Sequence, residues 1–232
     1  MTLNLDKSSW LRVRFGDVVR NVNETVRDAE AAGLDRVIAM EHLDPGELRV
    51  DRWGSTADGT TFTRRVRPGQ TLFGKRRAYQ RKVAYAEFDA ICSGDILTFE
   101  ADRTRLLPEF LPFLCQSDDF FAHALGTSAG SLSPRTNWRD LSSFEFLLPL
   151  LDEQERLADL LWAIESRRVA MQNLVITTTT ARSTWLHSLF ARAETTTGLV
   201  GLDSMVDARK PICYGVLKPG PEFEGGPLLV DV

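Results

Sequence analysis

The sequence predicts an α+β fold: a domain of mixed short strands and helices, then a long helix of coiled-coil type. Three observations carry this expectation. Residues 10–150 interleave runs rich in Val, Ile, Phe and Tyr with stretches at helical spacing. From Asp152 to about Phe190 there is neither Gly nor Pro, and apolar residues recur at alternating steps of four and three. From about Thr195 the texture changes again, becoming rich in Gly and Pro and ending on the β-like run "PLLVDV".

Composition sets the frame for these elements. The 232 residues carry a formal net charge of −4, with 43% hydrophobic and 26% charged side chains, the balance of a globular chain rather than a disordered one. No run approaches the ~18–20 apolar residues of a membrane span. The opening "MTLNLDKSSWLRVRF" has neither the apolar core nor the cleavage site of a signal peptide. Cys92, Cys115 and Cys213 are odd in number and far apart, which suggests neither a disulfide framework nor a zinc site, so a reducing cytoplasm is expected.

In chain order, "RVIAMEHLD" (Arg36–Asp44), "QTLFGKR" (Gln70–Arg76), "KVAYAEFDAICS" (Lys82–Ser93) and "GDILTFEA" (Gly94–Ala101) read as strands, punctuated by Gly, Pro and Asp. "PEFLPFLCQSDDFFAHAL" (Pro108–Leu125) reads as a helix through Phe110, Leu114, Phe121 and Leu125, with Pro112 weakening its first turn. "SPRTNWRDL" (Ser133–Leu141) starts with the Ser-Pro pairing of an N-cap and first helical residue.

The long helix carries a heptad seam. Leu157, Ile164, Met171, Thr178 and Trp185 fall seven apart, and Leu161, Arg168, Val175, Arg182 and Leu189 fall seven apart beside them. Arg168, Thr178 and Arg182 interrupt it, at a cost in stability that can specify register and partner. At ~1.5 Å per residue the helix is about 58 Å long. Leu157, Leu161, Ile164, Met171, Val175, Trp185 and Leu189 are the expected interface to a partner helix. No second helix of that length follows, so a second copy of the chain, antiparallel in a two-fold dimer, is the expected partner. The bland alternative is a helix packed on its own domain.

The strongest functional signal is a basic stretch. From Thr61 to Ala86 the chain holds Arg64, Arg65, Arg67, Lys75, Arg76, Arg77, Arg81 and Lys82 and no acidic side chain. Charge of one sign in an otherwise acidic protein points to a polyanion. Arg76, Tyr79 and Arg81 are the leading candidates for DNA contact, with Lys75, Arg77, Lys82, Arg64 and Arg65 behind them. Lysines suit phosphates, whereas an arginine can grip guanine O6 and N7. Tyr79 is equally well read as a core aromatic. Strand alternation sends Lys75 and Arg77 to one face and Arg76 to the other. The Gly/Ser-rich "GTSAGSLSPRTNW" adds Ser131 and Ser133, with Arg135 nearby, as a second phosphate-binding candidate, or a plain loop and cap. His42, His123 and His187 have no metal or catalytic spacing and read as structural, and Cys92 and Cys115 as small core residues. The sequence shows no Gly-rich phosphate loop, methyltransferase motif or nuclease cluster, so no catalytic residue or metal site is expected.

Taken in order, "WLRVRFGDVV", "GQTLFGKRRAYQRKVAYAEFDAICSGDILTF", "LPEFLPFLCQSDDFF" and "GSLSPRTNWRDLSSFEFLLPLLDEQERLADLL" resemble the DNA specificity subunit of type I restriction–modification systems. "KPICYGVLKPGP" is similar to the start of that family's second recognition domain. The resemblance implies a non-catalytic reader of double-stranded DNA, with residues 10–150 as target-recognition domain, 151–192 as spacer and dimerisation helix, and 195–232 as the start of an incomplete second recognition domain. "LDSMVDARKPI…GGPLLVDV" loosely echoes "FGDVVRNVNET…LDRVIAMEHLD", as an internal repeat would. The implied partners are methyltransferase subunits and, through them, the restriction subunit. S-adenosylmethionine and ATP belong to those partners, and this chain is expected to bind no cofactor. Two departures stand out: Pro149-Leu150 replaces the usual Pro-Pro, and the second domain and second helix are missing. The rival readings are an enzyme fragment, and a coiled-coil interaction module or inactive truncated remnant with no DNA reading of its own.

Overall fold

The structure, a computed structural model, describes residues 7–130 and 134–197, and the side chains of these as far as residue 191. The chain divides into two compact units, Met1–Ala170 and Met171–Val232. The first unit is built on two four-stranded sheets among the described residues. One has the order β2 (Val19–Val22), β9 (Ile96–Ala101), β6 (Thr71–Gly74), β7 (Val83–Tyr85), all antiparallel. The other runs β4 (Gly54–Ser55), β3 (Arg36–Ile38), β8 (Ala90–Cys92), β5 (Arg64–Val66), with β3 and β8 parallel. A ribbon of β1 (Leu11–Arg14) and β10 (Glu145–Leu148) joins the two ends of the domain.

Period-two alternation explains how these layers stack. Phe73, Val83, Leu97 and Phe99 point to one face of the first sheet and join the main core. Leu72, Ala84 and Ile96 point to the other face and meet Ile38, Val66, Ala90 and Cys92 of the second sheet. Val37 and Ile91, the next residues along, turn outward onto Leu34 and Phe62. β6 is buried throughout, as a central strand covered on both faces must be. The main core is aromatic: Phe73 lies 5.7 Å from Phe120 and 5.8 Å from Phe99 between ring centres, and Phe15 lies 4.9 Å from Phe120.

Three short helices cover that core after a four-residue first one, α1 (Phe15–Val18). They are α2 (Leu111–Gln116), α3 (Asp118–Gly126) and α4 (Trp138–Leu141). The single helix expected over 108–125 is broken at Ser117, whose hydroxyl caps α3 by accepting from the Phe120 amide. α4 begins later than the Ser-Pro pairing suggests: Asn137 occupies its N-cap position without a side-chain capping bond, and Arg135 is extended, while Ser133 lies outside the described residues. The stretch 82–93 is two strands in different sheets, because a bend at 86–89 lets β7 and β8 serve opposite sides of one core. Cys92 and Cys115 are buried, as expected of small core residues. Burial pushes the Cys92 thiol up to about 12.

α5 (Leu151–Thr197) exceeds the length read from the sequence. Its beginning is fastened to the first unit through Gln154, whose amide accepts from the Leu107 amide and donates to the Arg105 and Pro149 carbonyls. Ala158 is buried, Trp162 donates to the Glu109 carbonyl, and Arg168 pairs with Glu165 and Glu47. Packing on its own domain therefore accounts for this part of the helix. Arg168, read as an interruption of a partner seam, is an anchor inside the first unit. Leu157 and Leu161 are half-buried, and Ile164 is exposed. In the second unit Met171, Val175, Trp185 and Leu189 are all exposed. The incomplete second recognition domain expected over 195–232 lies outside the described residues beyond the end of α5.

Candidate nucleic-acid interface

The connection from β6 to β7, residues 75–82, organises the site. Gly74 closes its base: the Gly74 amide donates to the Lys82 carbonyl, and a Cβ there would meet Met40 Cε at 2.9 Å and Lys82 Cβ at 3.2 Å. β6 ends at Gly74, so Lys75–Arg77 leave the sheet and the alternation expected of them does not apply. Lys75 donates its amide to Asp95 and accepts from the Thr136 amide, and Arg76 bridges to Arg135 as an antiparallel pair. Two segments some sixty residues apart in sequence thus deliver Lys75, Arg76, Arg77 and Arg135 to one surface.

Electrostatics at this surface are unbalanced. Asp95 lies 3.7 Å from Arg76 Nη1 and 3.4 Å from Arg135 Nε, one carboxylate shared by two guanidiniums. Arg77 is exposed and makes no side-chain hydrogen bond or ion pair among the described residues. Burial, with repulsion from Arg64 and Arg135, holds the Lys75 ammonium below its ordinary value, against a smaller pull from Asp95. Like charges directly opposite one another across a bridge destabilise it. Among the described residues, Lys75, Arg76 and Arg135 share the Asp95 carboxylate with Arg77 exposed next in the chain, an arrangement that favours an added anion.

The rest of the basic stretch is occupied within the protein. Arg64 donates to Asn23 and to the Ile96 carbonyl. Arg65 pairs with Asp89 at 2.9 Å, and Arg67 forms two hydrogen bonds with Glu24, at 2.9 and 2.8 Å. Lys82 donates to the Met40 carbonyl at 2.7 Å. Arg81, a leading candidate from the sequence, donates to the Gln116 carbonyl at 2.8 Å, pairs with Asp118 at 2.6 Å and lies over the Phe121 ring at 4.7 Å. These contacts tie the 75–82 connection to α2 and α3. Tyr79 takes the surface alternative: it is 55% exposed, with no hydrogen bond among the described residues. Ser131 and Ser133 lie outside the described residues. Asp95 is the organising residue that sequence reading missed; it stands in an ordinary Gly-Asp turn before β9, and no local signal marks it.

His42 and His123 serve the fold, and His187 is exposed on α5. His42 accepts from the Ala39 amide through Nδ1, and His123 Nε2 lies 2.8 Å from the Asp140 carbonyl. Among the described residues there is no group of three or more His, Cys, Asp or Glu placed to hold a metal ion.

No protein-family model matches the chain. A stretch of 125 residues is 26% identical to the specificity subunit of the type I restriction enzyme EcoDI of Escherichia coli, covering 50% of this chain and 27% of that protein. The fold matches the HsdS subunit of Thermoanaerobacter tengcongensis with a TM-score of 0.60 and 21% identity, over 84% of this chain and 52% of that one. It matches the type I S subunit of M. genitalium with a TM-score of 0.56 and 14% identity, over 84% of this chain and 49% of that one. A structure describing complex assembly of a type I restriction–modification system contains a chain matched at TM-score 0.60. The chain spans 27% of its curated relative and about half of the solved subunits. Over that span, in sequence and in the α+β fold with its long helix, it is similar to the specificity subunits of type I restriction–modification systems.

Proposed function

We propose that this chain reads double-stranded DNA as a specificity component of a type I restriction–modification system, without chemistry of its own. The observation that carries the reading is the surface of Lys75, Arg76, Arg77 and Arg135 around Asp95, an excess of positive charge that phosphates would neutralise. Methyltransferase subunits and, through them, a restriction subunit are the partners that the reading assigns. S-adenosylmethionine and ATP act in those partners and in the cytoplasm. No helix among the described residues is long and apolar enough to cross a membrane.

The same reading gives the distal part of α5 a helical partner. Met171 and Val175 are four residues apart, Trp185 and Leu189 repeat that pair two heptads later, and all four are exposed. A second copy in antiparallel register would cover them and carry two identical readers to a palindromic split site. DNA binding by the purified chain across a salt series, with and without a cognate methyltransferase subunit, tests the proposal. Some four neutralised phosphates give a log–log slope of about −3.6. A flat response in both conditions rejects DNA reading.

A further inference from the structure

The connection between β6 and β7 holds a second feature beyond its charge. Arg77 and Arg81 both adopt left-handed backbone conformations, with φ of 55° and 52°. They flank a single 3-10 turn, Ala78–Gln80. Non-Gly residues in this region are uncommon, and the strain persists only where surrounding contacts over-determine it. Here they do. Ala78 is buried in the main core, Arg77 donates its amide to the Pro134 carbonyl at 2.8 Å, and Arg81 is held by Gln116, Asp118 and Phe121. The residue left at the apex is Tyr79, exposed beside Arg77 and free of hydrogen bonds among the described residues.

From this geometry we infer that Tyr79 is a specificity-determining residue: a rigid turn presents its ring and hydroxyl to base edges while Arg76, Arg77 and Arg135 hold the flanking phosphates. The inference rests on the DNA-reading proposal. A tyrosine has no charge to offer a phosphate, but it has an apolar face for a thymine methyl and a hydroxyl for a base edge. Two side-chain torsions on a pinned backbone mean little conformational freedom is lost on contact. The division of labour follows: the arginines set affinity and its salt dependence, and Tyr79 sets which duplex is preferred.

The experiment is selection and equilibrium binding of the full chain against a pool of randomised duplexes, comparing the unmodified protein with Tyr79→Ala and Arg77→Ala. Tyr79→Ala is expected to lower the ratio of preferred to average-duplex affinity on the order of 5- to 100-fold, the range for one lost base-pair discrimination. Its salt slope on average duplex stays unchanged. Arg77→Ala is expected to keep the preferred sequence and reduce the slope by about 0.9. An unchanged thermal midpoint for Tyr79→Ala confirms that the turn is intact. The same preferred sequence at the same ratio in Tyr79→Ala overturns the inference alone. Salt-independent binding, or none, by the unmodified chain both with and without a cognate methyltransferase subunit overturns the DNA-reading proposal and this inference with it.

Discussion

The two ends of the basic stretch carry the same kind of side chain to different ends. At residues 64–67, Arg64 is hydrogen-bonded to Asn23 and Ile96, Arg65 to Asp89, and Arg67 to Glu24, so each guanidinium has its partner within the fold. At residues 75–77, joined by Arg135, one carboxylate serves two guanidiniums while Arg77 stands exposed. The first group ties β5 to its neighbours, and in the second, among the described residues, the cations outnumber the carboxylate they share. Basic residues in a row are thus not a binding site until the acids around them have been counted in space.

That contrast can be broken most sharply at its cationic end. Replacing Arg76, Arg77 and Arg135 together by Ala is expected to cut DNA affinity on the order of 10- to 100-fold at moderate salt, with a slope reduced by about 2.7. Electrophoretic or anisotropy titration at several salt concentrations reads both quantities. Arg81→Ala comes next, and its effect falls on the fold. It removes a hydrogen bond to the Gln116 carbonyl, the Asp118 pair and the stack on Phe121, while the left-handed backbone conformation remains. A loss of about 1–3 kcal/mol in denaturant unfolding is expected. An unaltered midpoint would return Arg81 to the list of DNA contacts.

The smallest effect belongs to the neutralised end and is best seen as pH dependence. Hydrogen bonding to Arg67 holds the Glu24 carboxyl below its ordinary value of 4.5, with lesser help from the charges of Arg67 and Arg65. A depressed carboxylate contributes stability that is complete above its unfolded value and fades as pH falls through the folded one. Glu24→Gln should therefore lower the thermal midpoint slightly at neutral pH, and the difference from the unmodified protein should shrink as the pH falls below 4.5 and vanish once the carboxyl is protonated in the folded protein. A difference that persists in acid would place the effect in packing rather than in the ion pair.

Strongly periodic elements were legible from the amino-acid order. The strand at 96–101 and the gap-free long helix follow from β-branched alternation and from heptad spacing without breakers. Fine punctuation was less so. Ser117 followed by Asp118 and Asp119 carries the local signature of a helix N-cap with an acidic first turn, but apolar residues at helical spacing on both sides mask it, and the break becomes plain when the Ser117 hydroxyl caps α3. The partner of each face of α5 was also hidden. Arg168 interrupts a seam when read along the chain, yet it meets Glu47, more than a hundred residues away, in the fold.

By itself, the sequence determined that this chain folds as an α+β domain with a long helix, and that positive charge gathers between Thr61 and Ala86. Both are properties of neighbours along the chain, where periodicity and local composition act. Only the tertiary structure decided which cations remain available. Glu24, Asp89, Asp95 and Asp118 come from outside the stretch, and ion pairing depends on distance in space, not on separation in sequence.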